Sequence, residues 1–244
     1  KDIFVVLDNE KNLKNLSESE FFIRNTKATS LKVLTKQDLF DNNLETIEET
    51  LKAILKDQEF DATFKNKISN KDLENFVKEN SIGTIFYPVE EGVAKTKIKA
   101  LISIANKTKI PILFSRSTYP YKTIGLLIND NFDQTSSNSI AFDLSSTMSA
   151  KLVGVTINQP KFLQSEGEQK VSSTVQKLQD LALSHEVQLD FENFEGNEAK
   201  IFTEQTSNYD LSIIGSNSSQ SWQDRKIIEF VSTNSNSSVL YVPR

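Results

Sequence analysis

Residues 210–243 read DLSIIGSNSSQSWQDRKIIEFVSTNSNSSVLYVP. An apolar run of strand length, 211–214, passes into Gly215-Ser216 and a loop rich in Ser and Asn. An amphipathic helix follows, and a second apolar run, 239–242, closes the stretch. Short apolar runs bounded by turn residues read as buried strands, and a strand–helix–strand unit implies a parallel pair with a right-handed crossover. Gly-Ser between strand and helix is where open α/β sheets tend to hold anions. The backbone can approach closely there, and the helix N-terminus offers unpaired N–H groups.

Outward from this stretch the same alternation continues. The rest of the second half predicts strands at 124–128, 152–157 and 186–191. Between them come a helix with Ile140, Ala141, Leu144 and Met148 inward, and helices at 164–184 and 198–208. The first half predicts strands at 3–7, 31–35, 61–68, 82–87 and 112–114, with Pro88 ending the fourth and the polar third strand near a sheet edge. Its helices span 12–27, a stretch burying Leu44, Ile47, Leu51, Ile54 and Leu55, a short segment capped by Asn70, and a segment around Ile98, Leu101, Ile102 and Ala105. Matching elements of the two halves are offset by 122 residues (Val6 and Ile128), 128 (Ile85 and Ile213) and 127 (Leu113 and Leu240). This is a duplicated domain, far longer in period than a solenoid repeat. The expected fold is α/β: two tandem doubly wound five-stranded parallel sheets, in domains 1–117 and 122–244, joined by a linker at 118–121 within SRSTYPY.

Composition narrows the function classes. The 244 residues are 37% hydrophobic and 25% charged, which suits a globular chain, and no apolar run approaches a membrane span. Cys is absent, so disulfides, thiol catalysis and cysteine-bound metals are excluded. His185 is the one histidine and reads as a polar helix-end residue, which leaves multi-His metal sites and Ser-His-Asp schemes without support. The net charge of −5 argues against a nucleic-acid partner. It is unevenly divided: residues 1–117 hold 19 basic and 18 acidic side chains, the remainder 9 and 15. Lys1 in place of Met is compatible with a piece of a longer chain.

The segments FVVLD (4–8), LVGVTI (152–157), NYDLSIIGS (208–216) and VLYVP (239–243) resemble the universal stress protein family. The resemblance covers nearly the whole chain as two tandem domains. It implies strand order 3-2-1-4-5 in each half and pairing of the two halves through their fifth strands as an intrachain pseudo-dimer, which would cover an apolar edge. Nucleotide-binding members place an Asp at the end of the first strand, against the base, and wrap the phosphates with G-x2-G-x9-G-(S/T) after the fourth. Only Gly permits that tight backbone and close approach.

Carried over residue by residue, Asp8 holds the base position of the first half. There Tyr87-Pro88-Val89-Glu90-Glu91 replaces the phosphate loop: Pro88 removes a donor and two carboxylates would oppose phosphate. Glu90 and Glu91 read as an acidic helix N-terminus or as metal ligands, the former being commoner. In the second half Asn129 and Asp130 stand near the base position, with Asp133 as another register. Gly215 and Ser216 match the start of the motif, Ser218 replaces its second glycine, and Ser219 and Ser221 add hydroxyls. The distal Gly-Ser is missing. The candidate nucleotide residues are therefore Asp8, Asn129, Asp130, Gly215, Ser216, Ser218 and Ser219, against the plainer reading of 216–221 as a solvated loop. Trp222 reads as a packing residue or a stacking platform, and 135–149 as a polar helix face or a phosphorylated segment.

The resemblance implies a cytoplasmic, non-enzymatic stress-linked regulator acting through a protein partner or as a homodimer, with ATP or another adenine nucleotide confined to the second domain if it binds. Two alternatives stand beside it. One is a nucleotide sensor, with slow ATPase activity at most, built on the second domain. The other is a cytosolic regulatory tail of an ion antiporter. No catalytic constellation is visible, and no catalytic or metal-binding residues are assigned.

Overall fold

The protein is described by a computed structural model covering residues 1–9, 13, 16–40, 44–55, 58–89, 95–129, 134–158, 167–216 and 222–244. The chain divides into two compact units, Lys1–Tyr119 and Pro120–Arg244.

In the first unit the strands are β1 (Asp2–Leu7), β2 (Leu31–Lys36), β3 (Phe60–Lys65), β4 (Ile82–Pro88) and β5 (Ile112–Ser115). All neighbours are parallel, in the order β3-β2-β1-β4-β5. The helices are α1 (Leu16–Arg24), α2 (Leu44–Leu55), α3 (Asn70–Glu79) and α4 (Lys95–Thr108). Right-handed crossovers place the two helices that lead outward, α1 and α2, on one face of the sheet and the two that return, α3 and α4, on the other. The contacts agree: α1 packs with α2 and α3 with α4. Alternating side chains of the sheet serve both layers. Phe4 stacks on Phe76 of α3 at 4.5 Å, and Phe86 takes the edge of Phe22 of α1 at 5.2 Å. β1 is buried from Ile3 to Leu7, as a central strand covered on both faces must be.

In the second unit the strands are β6 (Thr123–Ile128), β7 (Lys151–Asn158), β8 (Leu189–Glu195), β9 (Leu211–Gly215) and β10 (Ser238–Val242). They are again parallel, in the order β8-β7-β6-β9-β10. The helices are α5 (Gln134–Met148), α6 (Gly167–His185), α7 (Glu198–Gln205) and α8 (Trp222–Asn234). α5 pairs with α6 and α7 with α8. Each unit thus shows the 3-2-1-4-5 order expected from the sequence. Asp210 joins two of these strands at their starts: its Oδ2 accepts from the Lys122 amide at 2.8 Å, the Thr123 amide at 2.9 Å and Thr123 Oγ1 at 3.1 Å.

Several boundaries differ from the sequence reading. The N-cap of α3 is Ser69, not Asn70: Ser69 Oγ accepts from the Asp72 amide while the Asp72 carboxylate accepts from the Ser69 amide. Pro88 does not stop β4 ahead of itself. It is the last strand residue and pairs with Ser115, since a proline at a strand end sacrifices little. β3 ends at Lys65 rather than 68, and Ser115 lies in β5 rather than in the connecting segment. β8 begins at Leu189, three residues later than predicted. Glu186 is left-handed (φ 54°) and the Val187 amide returns to the Ala182 carbonyl at 3.1 Å, closing α6.

Candidate functional site

In open α/β sheets the crevice forms where the strand order reverses, at the carboxyl ends of the strands. In the first unit that place lies between β1 and β4. Asp8 leaves the end of β1 and Tyr87 lies near the end of β4. The Tyr87 hydroxyl donates to Asp8 Oδ2 at 3.2 Å. Lys97, in the first turn of α4, brings its Nζ to 4.0 Å from the same oxygen and to 5.6 Å from the Tyr87 ring centre. Burial holds the Lys97 ammonium below the usual lysine range, Asp8 opposes that shift and Lys36 adds to it. Tyr87 itself is buried. The result is a closed triad of carboxylate, phenol and ammonium, in which the base-position carboxylate is already engaged. Sequence reasoning found Asp8 but not Lys97. The available signal was the run Lys95-Thr96-Lys97-Ile98-Lys99, three cations at a helix start where acids are the usual choice.

Next to this crevice a second charged group is enclosed. Glu18 of α1 and Ser115 of β5 are both fully buried. Glu18 Oε2 accepts from Ser115 Oγ and from the Ser117 amide, the latter at 3.1 Å. Ser117 is left-handed (φ 60°), so the carboxylate fixes a backbone turn that a non-glycine residue rarely adopts. Burial draws the Arg116 guanidinium down to about 10 while Glu18 holds it up. Ser115 is the ladder neighbour of Pro88, so this group sets the wall beside Tyr87.

In the second unit the equivalent crevice lies between β6 and β9. Asn129, directly after β6, is 5% exposed and donates from Nδ2 to Glu198 Oε2 at 2.7 Å. Glu198 opens α7, where an acid suits the helix dipole. Gly215 ends β9 beside Val242, and Ser216 is 7% exposed with its amide bonded to the Val242 carbonyl at 2.8 Å. The Ser216 N–H is thus spent on β10 and does not face the crevice as a phosphate donor. One turn into α5, Ser137 is fully buried and Asn138 is 9% exposed, its Oδ1 without a hydrogen-bond partner among the described residues. Asp130, Asp133, Glu90, Glu91, Ser218, Ser219 and Ser221 lie outside the described residues, as does the side chain of Trp222. The structure therefore brings Asn129 and Ser216 to neighbouring strand ends of one unit and Asp8 to the matching place in the other.

His185 ends α6 as expected and lays its ring against Phe142 at 5.6 Å. Among the described residues no group of three His, Asp or Glu side chains is placed to hold a metal ion, and no helix is long and apolar enough to cross a membrane.

No protein-family model matches the sequence, and no curated protein matches it. Solved structures do. A Pseudomonas aeruginosa protein assigned to the universal stress proteins is similar over 99% of this chain and 92% of its own, with a TM-score of 0.68 at 12% identity. A universal stress protein from Archaeoglobus fulgidus is similar over 99% and 96%, with a TM-score of 0.68 at 11% identity. The cytoplasmic domain of a prokaryotic cation chloride cotransporter is similar over 99% and 95%, with a TM-score of 0.65 at 16% identity. The chain has the universal stress protein fold.

Proposed function

We propose that this chain, with its universal stress protein fold, is a non-catalytic cytoplasmic regulator that acts through its surfaces on a protein partner and does not depend on bound ATP. The observation that carries the reading is the engagement of Asp8. A carboxylate that accepts from Tyr87 and faces Lys97 must break those contacts before it meets a nucleotide base. Pro88 withholds a backbone donor where phosphates would lie. In the second unit the corresponding side chain is an amide, Asn129, turned to Glu198, and the Ser216 amide is committed to β10. Neither set of residues fits ATP well.

Thermal unfolding with millimolar Mg-ATP, ADP or AMP tests this. A ligand at a hundredfold excess over its Kd stabilises the folded state by about 2.7 kcal/mol. The expected result is a melting temperature that does not move. A shift with any of the three nucleotides would contradict the reading.

A second reading is favoured by Asn138. A buried carbonyl oxygen without a partner is costly and calls for a donor, and it lies at the start of the helix that follows β6. On this reading the second unit holds a small polar ligand there, and Asn138→Leu abolishes that binding while leaving the fold intact. The similarity to a cotransporter's cytoplasmic domain supports a third placement, as a regulatory domain joined to a membrane transporter. Reading the natural frame on both sides of the given sequence decides it: membrane-spanning segments there support the placement, and their absence on both sides removes it.

A further inference from the structure

β8 lies at the edge of the second unit's sheet. It pairs only with β7 among the described residues. The Leu152 amide bonds to the Gln188 carbonyl, so the even-numbered residues of β8 direct their backbone groups to β7. Those of Leu189, Phe191, Asn193 and Glu195 then point away from the sheet. Natural edge strands are commonly guarded by Lys or Pro. β8, LDFENFE, has neither. The edge strand of the first unit, β3, is balanced instead, with Lys32 paired to Asp61 and Lys65 to Asp72.

Over Leu189–Glu192 the two faces of β8 are chemically distinct. Toward α6 it presents Leu189 and Phe191, and Gly154 of β7 leaves room for the Phe191 ring: a Cβ there would come within 2.7 Å of it. Leu189 continues into a surface groove of about 680 Å³ lined by Ala182, Leu183 and Val187, with Leu183 81% exposed. Toward α7 the strand presents Asp190 and Glu192, with Phe194 beyond them on the same face, and Glu192 Oε2 accepts from the Tyr209 hydroxyl at 2.7 Å. Asp180 and Glu186 line the groove itself on the α6 side, and Lys151, on Asp190 at 2.6 Å, is the one cation paired with any of these carboxylates among the described residues.

We infer that β8 is a docking edge for an extended segment of another protein in which apolar residues alternate with Lys or Arg. This rests on the surface-acting reading above and supplies its partner chemistry. The added strand hydrogen-bonds to the free groups of Leu189, Phe191, Asn193 and Glu195. Its apolar side chains enter the Leu183 groove on one face and its cations meet Asp190 and Glu192 on the other, a period-two match between strand and ligand. A second copy does not fit as the occupant through this edge. Pairing β8 with itself would bring no cation to Asp190, Glu192 or Glu195, since LDFENFE holds none.

The test uses the full chain and a synthetic peptide alternating Val with Lys and Arg, with a scrambled peptide of the same composition and an alternating Val-Glu peptide as controls. The expected result is saturable binding of the alternating basic peptide, with hydrogen-exchange protection appearing at the amides of Leu189, Phe191, Asn193 and Glu195. Asn193→Pro removes one outward donor at an edge position that tolerates proline. It is expected to weaken binding about tenfold with an unchanged far-UV spectrum, and Leu183→Asp to weaken it comparably. Equal binding of the scrambled peptide, protection elsewhere, or no binding at millimolar peptide overturns the inference. Self-association that Asn193→Pro abolishes overturns it in favour of a second copy. A nucleotide-induced melting shift with intact peptide binding would instead overturn the reading on which it rests and spare the docking edge.

Discussion

Removing the Glu18 carboxylate should unsettle the first unit more than any surface change. The side chain is fully enclosed and one of its oxygens accepts from both Ser115 Oγ and the Ser117 amide. Hydrogen bonds to a charged acceptor contribute about 1.5–3 kcal/mol each. Glu18→Ala loses both and leaves Arg116, half-buried, without its neighbouring negative charge. Breaking a buried charged group of this kind costs about 3–5 kcal/mol, and that is the expected loss. It would consume a large part of the roughly 5–15 kcal/mol that stabilises a typical domain. Glu18→Gln keeps the shape and one acceptor oxygen, so its cost should be about half as large. Urea unfolding of the full chain followed by far-UV circular dichroism measures the loss, and hydrogen exchange localises it. The Ser117 amide should lose protection first, because its left-handed turn is held by this contact. A double-mutant cycle with Ser115→Ala should show coupling of about 1–3 kcal/mol. If Glu18→Ala stays within about 0.5 kcal/mol of the parent, as ordinary surface substitutions do, and Ser117 keeps its protection, the carboxylate does not hold the β5 end and the reasoning fails.

Three further outcomes are expected. Lys109, Ser149 and Glu186 follow the ends of α4, α5 and α6 with φ of 59°, 53° and 54°, so replacing each by Gly should raise stability by about 1 kcal/mol, read from urea midpoints; no gain would argue against left-handed caps. Gly125→Ala puts a methyl 2.4 Å from the Tyr209 ring, and with backbone on one side and a buried ring on the other the cost should be about 1–3 kcal/mol, largely relieved in a Tyr209→Ala background. Burial, with the Glu192 carboxylate at 2.7 Å from its hydroxyl, pushes the Tyr209 phenol well above the ordinary tyrosine range. Because the folded value is the higher one, the stability Tyr209 contributes is complete below the ordinary value of about 10 and is lost as pH rises beyond it. Ultraviolet titration should show a late-ionising tyrosine step that Tyr209→Phe removes.

The alternation of apolar runs with amphipathic segments was enough to place the described strands and α-helices of both units in order, though not the short 3-10 helix Gln37–Phe40, because each sheet is covered on both faces and its inner strands are continuously apolar. Boundaries were harder where two physical signals overlap. Val187, Leu189 and Phe191 alternate in the strand period straight through the cap of α6, so only the left-handed turn at Glu186 marks where β8 begins. Ser69 and Asn70 are both good caps, and the choice falls to the partner three residues on, Asp72. The site was legible in part. Asp8 and Gly215 are readable from their positions at strand ends, but the Tyr87–Asp8 bond spans 79 residues of chain and depends on β1 lying beside β4. Glu18 was invisible for a different reason. A hydropathy pattern treats glutamate as surface, and here burial is made tolerable by donors from Ser115 and Ser117, nearly a hundred residues away.

On the proposed function, neither unit's crevice takes nucleotide and the chain acts through its surfaces. Calorimetric titration of the full chain with ATP in the presence of Mg²⁺, repeated with ADP, AMP and a cyclic dinucleotide, tests it most directly. No heat of binding is expected at millimolar ligand. Saturable binding of one nucleotide per chain, lost on Gly215→Leu, would contradict it and place a working site in the second unit.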